Sequence, residues 1–173
     1  MRSYARGRID QVNASNTPFR KYKSTDHEGG ICTPFIAAWP GVIQQQGQVC
    51  NAVGHLIDVM PTLAEISGAQ YPAEYNGRTV LPMEGASLLP VFQGGKQKKE
   101  RTLYWRTHRN SHRAIRRGAW KLVSATPQSP WQLYDLKHDR FETQDLSSAH
   151  PNRVKEMAEL YAAWERKVGL DRE

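Results

Sequence analysis

The 173-residue chain has only two cysteines, Cys32 and Cys50, and no apolar run long enough to cross a bilayer. Two thiols do not make a disulfide framework, so the bridged, coreless secreted scaffold is excluded and free thiols are expected. Acidic residues are scarce at the N-terminal end, where Asp10 is the only one before Lys23. A hard-cation site wants roughly six to eight oxygens with several carboxylates, and that end cannot supply them. The first eight residues are basic, but no apolar stretch follows them. They lack the pattern of a secretory signal.

What is present is a core-forming complement of apolar residues, 39% of the chain, and a net charge of +7. The mean hydropathy of -0.68 marks a polar molecule. The basic excess gathers at Lys96, Lys98, Lys99 and Arg101, then at Arg106, Arg109, Arg113, Arg116, Arg117 and Lys121, with His108 and His112 among them. Such a cluster can neutralise phosphates, attract sulfated polyanions by the same field, or form a solvated face. The last two readings are favoured over nucleic acid, because charge alone carries little information about the partner.

Along the chain, residues 1–22 show no periodicity and read as loop. Residues 33–39 form an unbroken apolar stretch ended by Pro40-Gly41, the pattern of a strand buried on both faces. An extended piece near 49–53 is expected next. Asp58 is placed to cap a helix running to Ile66 and stopped by Gly68, with Val59, Met60, Leu63 and Ile66 packing it on a sheet. A helical turn is expected within 85–92. Strands at about 102–106, 112–117, 119–124 and 131–135 with short connections predict an antiparallel sheet. The clearest helix spans about 151–168: Pro151 suits its first turn, Val154, Met157, Ala158, Leu160, Tyr161 and Trp164 make its stripe, and Gly169 stops it. Trp105, Trp120, Trp131, Tyr104 and Tyr134 are better suited to packing than to a stacking platform.

The segment from Lys23 to Pro40 carries the most information. A polar stretch, Lys23-Ser24-Thr25-Asp26-His27-Glu28, meets Gly29-Gly30 and then the apolar run. Two glycines permit backbone angles that other residues resist. Lys23, Thr25, Glu28, Gly29, Gly30, Ile31 and Pro34 fall in register with the lysine-bearing loop of the formylglycine-dependent type I sulfatases, which the segment resembles. Other pieces follow in the same order. His55, Asp58, Pro61, Thr62 and Leu63 resemble a helix start of that family. Gly85, Ser87, Leu88 and Pro90 resemble its Gly-x-Ser-Leu-x-Pro segment. Arg113-Ala114-Ile115-Arg116, Gly118, Trp120-Lys121 and Leu133-Tyr134-Asp135 resemble successive strands.

The resemblance implies an α/β architecture: the C-terminal part of an alkaline-phosphatase-like sulfatase fold, followed by a small antiparallel sheet with a packed C-terminal helix. Residues 1–95 would be the edge of the large domain and residues 96–173 the small subdomain. It implies sulfate-ester hydrolysis by a longer parent, found in the periplasm, outside the cell or in lysosomes. That parent would use calcium and a formylglycine nucleophile. Neither is expected within this chain: Cys32-Thr33-Pro34 lacks the arginine two places on, Cys50 lacks the proline, and no Asp-Asn pair precedes the lysine loop.

By the same resemblance, Lys23 is the catalytic candidate, holding the sulfate, and it is expected to be exposed here. His108 and His112 are candidate substrate contacts. Glu28, Gly29 and Gly30 anchor the loop, Glu28 by accepting backbone amides. His27 packs, His55 is structural, and no residue is assigned to a metal. Cys32 stands where the family has arginine. The expected partners are a sulfated small molecule or glycan and an N-terminal catalytic portion. The alternative is a noncatalytic module binding anionic glycans or a partner chain. The first half is expected to be loosely folded, and the region after about 96 to fold alone.

Overall fold

The computed structural model describes residues 14–44, 47–96, 100–107 and 112–170. In chain order the elements are α1 (Glu28–Ile31), α2 (Val59–Ser67), the hairpin β1 (Glu74–Tyr75) and β2 (Arg78–Thr79), and α3 (Leu89–Phe92). They continue with β3 (Thr102–Arg106), β4 (Arg113–Arg117), β5 (Trp120–Ser124), β6 (Gln132–Asp135) and α4 (Pro151–Lys167). Two compact units result, and they divide the chain differently from a boundary at 95: Met1–Pro34 joins Glu100–Glu173, and Phe35–Lys99 stands as the other.

The first unit is built on an antiparallel meander of β3, β4, β5 and β6 in that order. Side chains alternate across it because successive residues of a strand point to opposite faces. Ile115, Leu122 and Leu133 lie in register across three strands and meet Met157 and Tyr161 of α4. Tyr104 stacks on Trp164 with ring centroids 5.0 Å apart, and Trp131 meets Tyr161 edge-on at 5.3 Å. Tyr104, Trp120 and Trp131 are therefore packing groups of the helix-covered face, and Trp105 packs on the other. Ala114, Val123 and Tyr134 lie buried on the opposite face, with Leu136 beside them.

The second unit departs from the sequence expectation. Residues 33–39 form no strand, and Phe35 and Ile36 are 64% and 90% exposed. An apolar ribbon of this kind needs ladder partners on its edges; among the described residues none pairs with it. Residues 49–53 are likewise irregular. Helix α2 forms as expected and ends at Gly68, which takes the left-handed conformation that glycine adopts most easily (φ 68). Its apolar face is not packed on a sheet, since Met60, Leu63 and Ile66 are exposed. Asp58 does not cap the helix with its side chain. Its carboxylate accepts the His55 amide at 2.8 Å and the Ala86 amide at 2.9 Å, tying two loops together. Thr62 extends the tie by accepting the Leu88 amide at 2.9 Å. Among the described residues of this unit, Leu88 is the one apolar side chain sealed from water.

The contrast sets the order of cleavage. Chymotrypsin is expected to cut within residues 35–95 before it cuts β4, β5 or β6. The pieces on either side should remain associated on a sizing column, because residues 26–28 are buried with the sheet. Equal cleavage rates in the two units would contradict this account.

Candidate functional site

The helix-free face of the sheet is covered by the loop that carries Lys23. Strand β5 explains why. Trp120 and Leu122 face α4, so Lys121 must project to the other side, and it is fully buried there. A buried ammonium demands carboxylates. Lys121 Nζ donates to Glu28 Oε1 at 2.7 Å and pairs with Glu142 Oε1 at 2.9 Å. The other oxygen of Glu142 accepts the Glu28 backbone amide at 2.9 Å and meets His27 Nδ1 at 2.9 Å. A carboxylate only accepts, so His27 Nδ1 carries the proton in that contact. Burial alone would raise the Glu142 carboxyl, but the His27 hydrogen bond and the Lys121 ammonium outweigh it and hold it below its ordinary range.

Further contacts hold the loop before Lys23. Arg20 donates to the Glu142 backbone carbonyl. The Asn16 amide donates to the Lys21 and Gly29 carbonyls, each at 2.8 Å. Lys23 lies between Lys21 and Ser24, both in left-handed backbone (φ 65 and 70), and is exposed. Gly29 and Gly30 are required for space rather than for unusual angles, a correction to the sequence reading. A Cβ on Gly29 would sit 2.2 Å from the Arg20 carbonyl oxygen, and one on Gly30 would sit 2.0 Å from that of Thr25. Glu28 also differs from expectation. Its side chain takes an ammonium, not backbone amides.

His112 is half-buried, and its Nδ1 has no hydrogen-bond partner among the described residues. Burial, then the positive neighbours His27 and Lys21, lower it from the ordinary imidazole value. His108 lies outside the described residues, as do Arg109, Lys98, Lys99 and residues 1–13 of the expected loop. Cys32, where the family has arginine, has the Arg140 guanidinium 3.8 Å from its Sγ. His55 accepts the Ile57 amide at 3.3 Å through Nδ1. Sequence reasoning missed Glu142 entirely, as it lies 114 residues from the amide it binds and in no motif. Lys121 was legible as part of a Trp-Lys strand, though its burial was not.

No group of three or more metal-ligating side chains gathers among the described residues. The carboxylates nearest the loop, Glu28 and Glu142, are committed to Lys121 and His27. Asp26 lies among the same cations, and its burial disfavours the charged form that a metal ligand would need. These residues do not fit a calcium site.

Asp26 makes the site sensitive to pH. It is 1% exposed, and its Oδ2 has no hydrogen-bond partner among the described residues. Burial pushes it from 3.8 up to about 6, against the opposing pull of Lys121 and His27. A carboxyl raised in the folded state favours folding below its ordinary value, and that contribution is lost as pH rises through about 6. Asp26→Asn should therefore raise the thermal midpoint near pH 8 and leave it little changed near pH 4. An equal or lower midpoint at pH 8 would show that the carboxylate is compensated where it lies.

Residues 21–167 match the family model described as N-sulphoglucosamine sulphohydrolase, C-terminal. An uncharacterized sulfatase of Schizosaccharomyces pombe is 28% identical over 163 residues, covering 92% of this chain and 29% of that protein. The N-acetylgalactosamine-6-sulfatase of Mus musculus is 30% identical over 146 residues, covering 84% of this chain and 26% of that protein. A solved structure in complex with its substrate D-glucosamine-2-N,6-O-disulfate shares the fold, at 22% identity and a TM-score of 0.50 over 66% of this chain and 24% of that one. The chain thus spans less than a third of the length of the curated relatives it matches. With an alkaline-phosphatase-like fold of this C-terminal kind, it belongs to the sulfatase family, as a member of the N-sulphoglucosamine sulphohydrolase C-terminal group.

Proposed function

We propose that this chain is the C-terminal part of a sulfuric ester hydrolase and contributes Lys23 as a fixed positive charge for the sulfate group. The observation that carries this reading is the loop itself: Lys23 is exposed between two tethers, Arg20 on one side and His27 with Glu28 on the other. Negative charge grows on oxygen as a sulfuryl group is transferred, and a pre-placed ammonium lowers that barrier without reorganising. In this reading His112, a half-buried histidine of the basic strand region, contacts the sulfated substrate. His108 shares that assignment on the sequence alone.

The attacking group and the metal ligands belong, in this reading, to polypeptide outside these 173 residues. Position 36 is isoleucine where a formylglycine motif after Cys32 requires arginine. The exposed Phe35, Ile36, Leu56, Met60 and Leu63 of the second unit support the same reading, since an apolar surface of this kind favours cover by further protein. The substrate class is a sulfate ester on a small molecule or glycan. The basic excess would draw such an anion toward the loop.

The chain on its own is expected to hydrolyse no aryl sulfate above background; turnover that disappears with Lys23→Ala would overturn the division of labour. A sulfated oligosaccharide should bind it weakly. Lys23→Ala should cost about tenfold in affinity, or about 1.4 kcal/mol, while Lys137→Ala changes little. Equal losses from the two substitutions would reduce the contact to nonspecific attraction.

A further inference from the structure

A sulfate contact on an exposed loop works only if the loop is held in one place. The role argued here therefore rests on the reading of Lys23 given above. We propose that Glu142 is the positioning residue for Lys23, fixing the turn that carries it against the sheet face opposite α4.

Both carboxylate oxygens of Glu142 and its backbone carbonyl face cations or donors, Oε1 as an ion pair without hydrogen-bond geometry. Oε1 pairs with Lys121 Nζ at 2.9 Å, and Lys121 in turn holds Glu28 at 2.7 Å. Oε2 takes the Glu28 amide and His27 Nδ1, both at 2.9 Å. Its backbone carbonyl accepts from Arg20. One residue thus grips the chain three positions before Lys23 and again four and five positions after it.

Two features show that the glutamate side chain is what this position requires. Its backbone is left-handed (φ 57), a conformation in which glycine or asparagine would be less strained. The turn that sets it is separately secured: the Asp139 carboxylate accepts the Thr143 amide at 2.7 Å and the Gln144 amide at 2.8 Å. Apolar side chains could seal the same face with less desolvation. A carboxylate adds direction: it fixes where the 27–28 backbone lies, not merely that it is covered.

The test uses the full chain carrying Glu142→Gln. Exchange is followed at the amides of Glu28, Gly30, Ile31 and Cys32, which are hydrogen-bonded to the Glu142 side chain or to the His27 and Glu28 carbonyls. Sulfate is titrated while the Lys23 side-chain resonance is observed, with Lys137 as the control. Exchange at those four amides should rise at least tenfold while Ile115 and Leu122 keep their protection, and the sulfate response at Lys23 should weaken at least threefold. Unchanged loop exchange, or equal loosening of loop and sheet, would overturn the proposal. A wild-type Lys23 indifferent to sulfate, with loop-selective exchange in the variant, would instead overturn the reading of Lys23 and leave the grip of Glu142 standing. Should Glu142→Gln fail to fold, His27→Ala removes one loop contact and leaves Lys121 paired. Selective loosening there supports the proposal, and uniform loosening overturns it.

Discussion

The Lys121 ammonium, sealed beneath the loop between Glu28 and Glu142, is the contact around which the first unit is arranged. A charge in that position cannot be left alone. Removing one partner of a buried ion pair typically costs about 3–5 kcal/mol, because the survivor stays buried without compensation. The constraint reaches far along the chain, since Glu28 lies 93 residues from Lys121. It also explains why residues before Pro34 group with the sheet and not with the segment that follows them. The sheet has an apolar face toward α4 and, toward the loop, a face on which the Lys121 ion pairs lie beside Ala114, Val123 and Tyr134.

The two units differ in how they meet water. In the first, Ile115, Leu122 and Leu133 are fully buried, and the aromatic rings of β3 and α4 close over them. In the second, order rests on polar ties such as Asp58 to Ala86 and Thr62 to Leu88, while large apolar side chains remain exposed. Polar ties fix local geometry but contribute only about 1 kcal/mol each. The hydrophobic term that normally offsets chain entropy is nearly missing there.

The sheet and α4 were legible because their signals are local. The even spacing of four short segments with short connections between 102 and 135, and the stripe from Val154 to Trp164, need no distant partner to be read. The strand expected at 33–39 failed for the opposite reason. Its apolar pattern describes a preference for burial, and no strand among the described residues of this chain meets that preference. Gly29 and Gly30 were singled out, yet for the wrong property: crowding by the Arg20 and Thr25 carbonyls decides them, and crowding is invisible before the fold is known. Glu142 was illegible altogether. An isolated glutamate in a turn has no period, and its value appears only once β5 has turned Lys121 inward.

That last dependence bears on how a loop can serve a substrate. Ordering a residue costs about 1–2 kcal/mol of backbone entropy, and an exposed lysine has few contacts with which to offset it. Tethers on either side transfer the cost to folding, so that a bound anion need not meet it again. Buried charges suit this task better than apolar cover, because they hold one arrangement and penalise every other. In the proposed role the lysine remains in water, where an anion can reach it, while its position is decided by groups that never touch the anion.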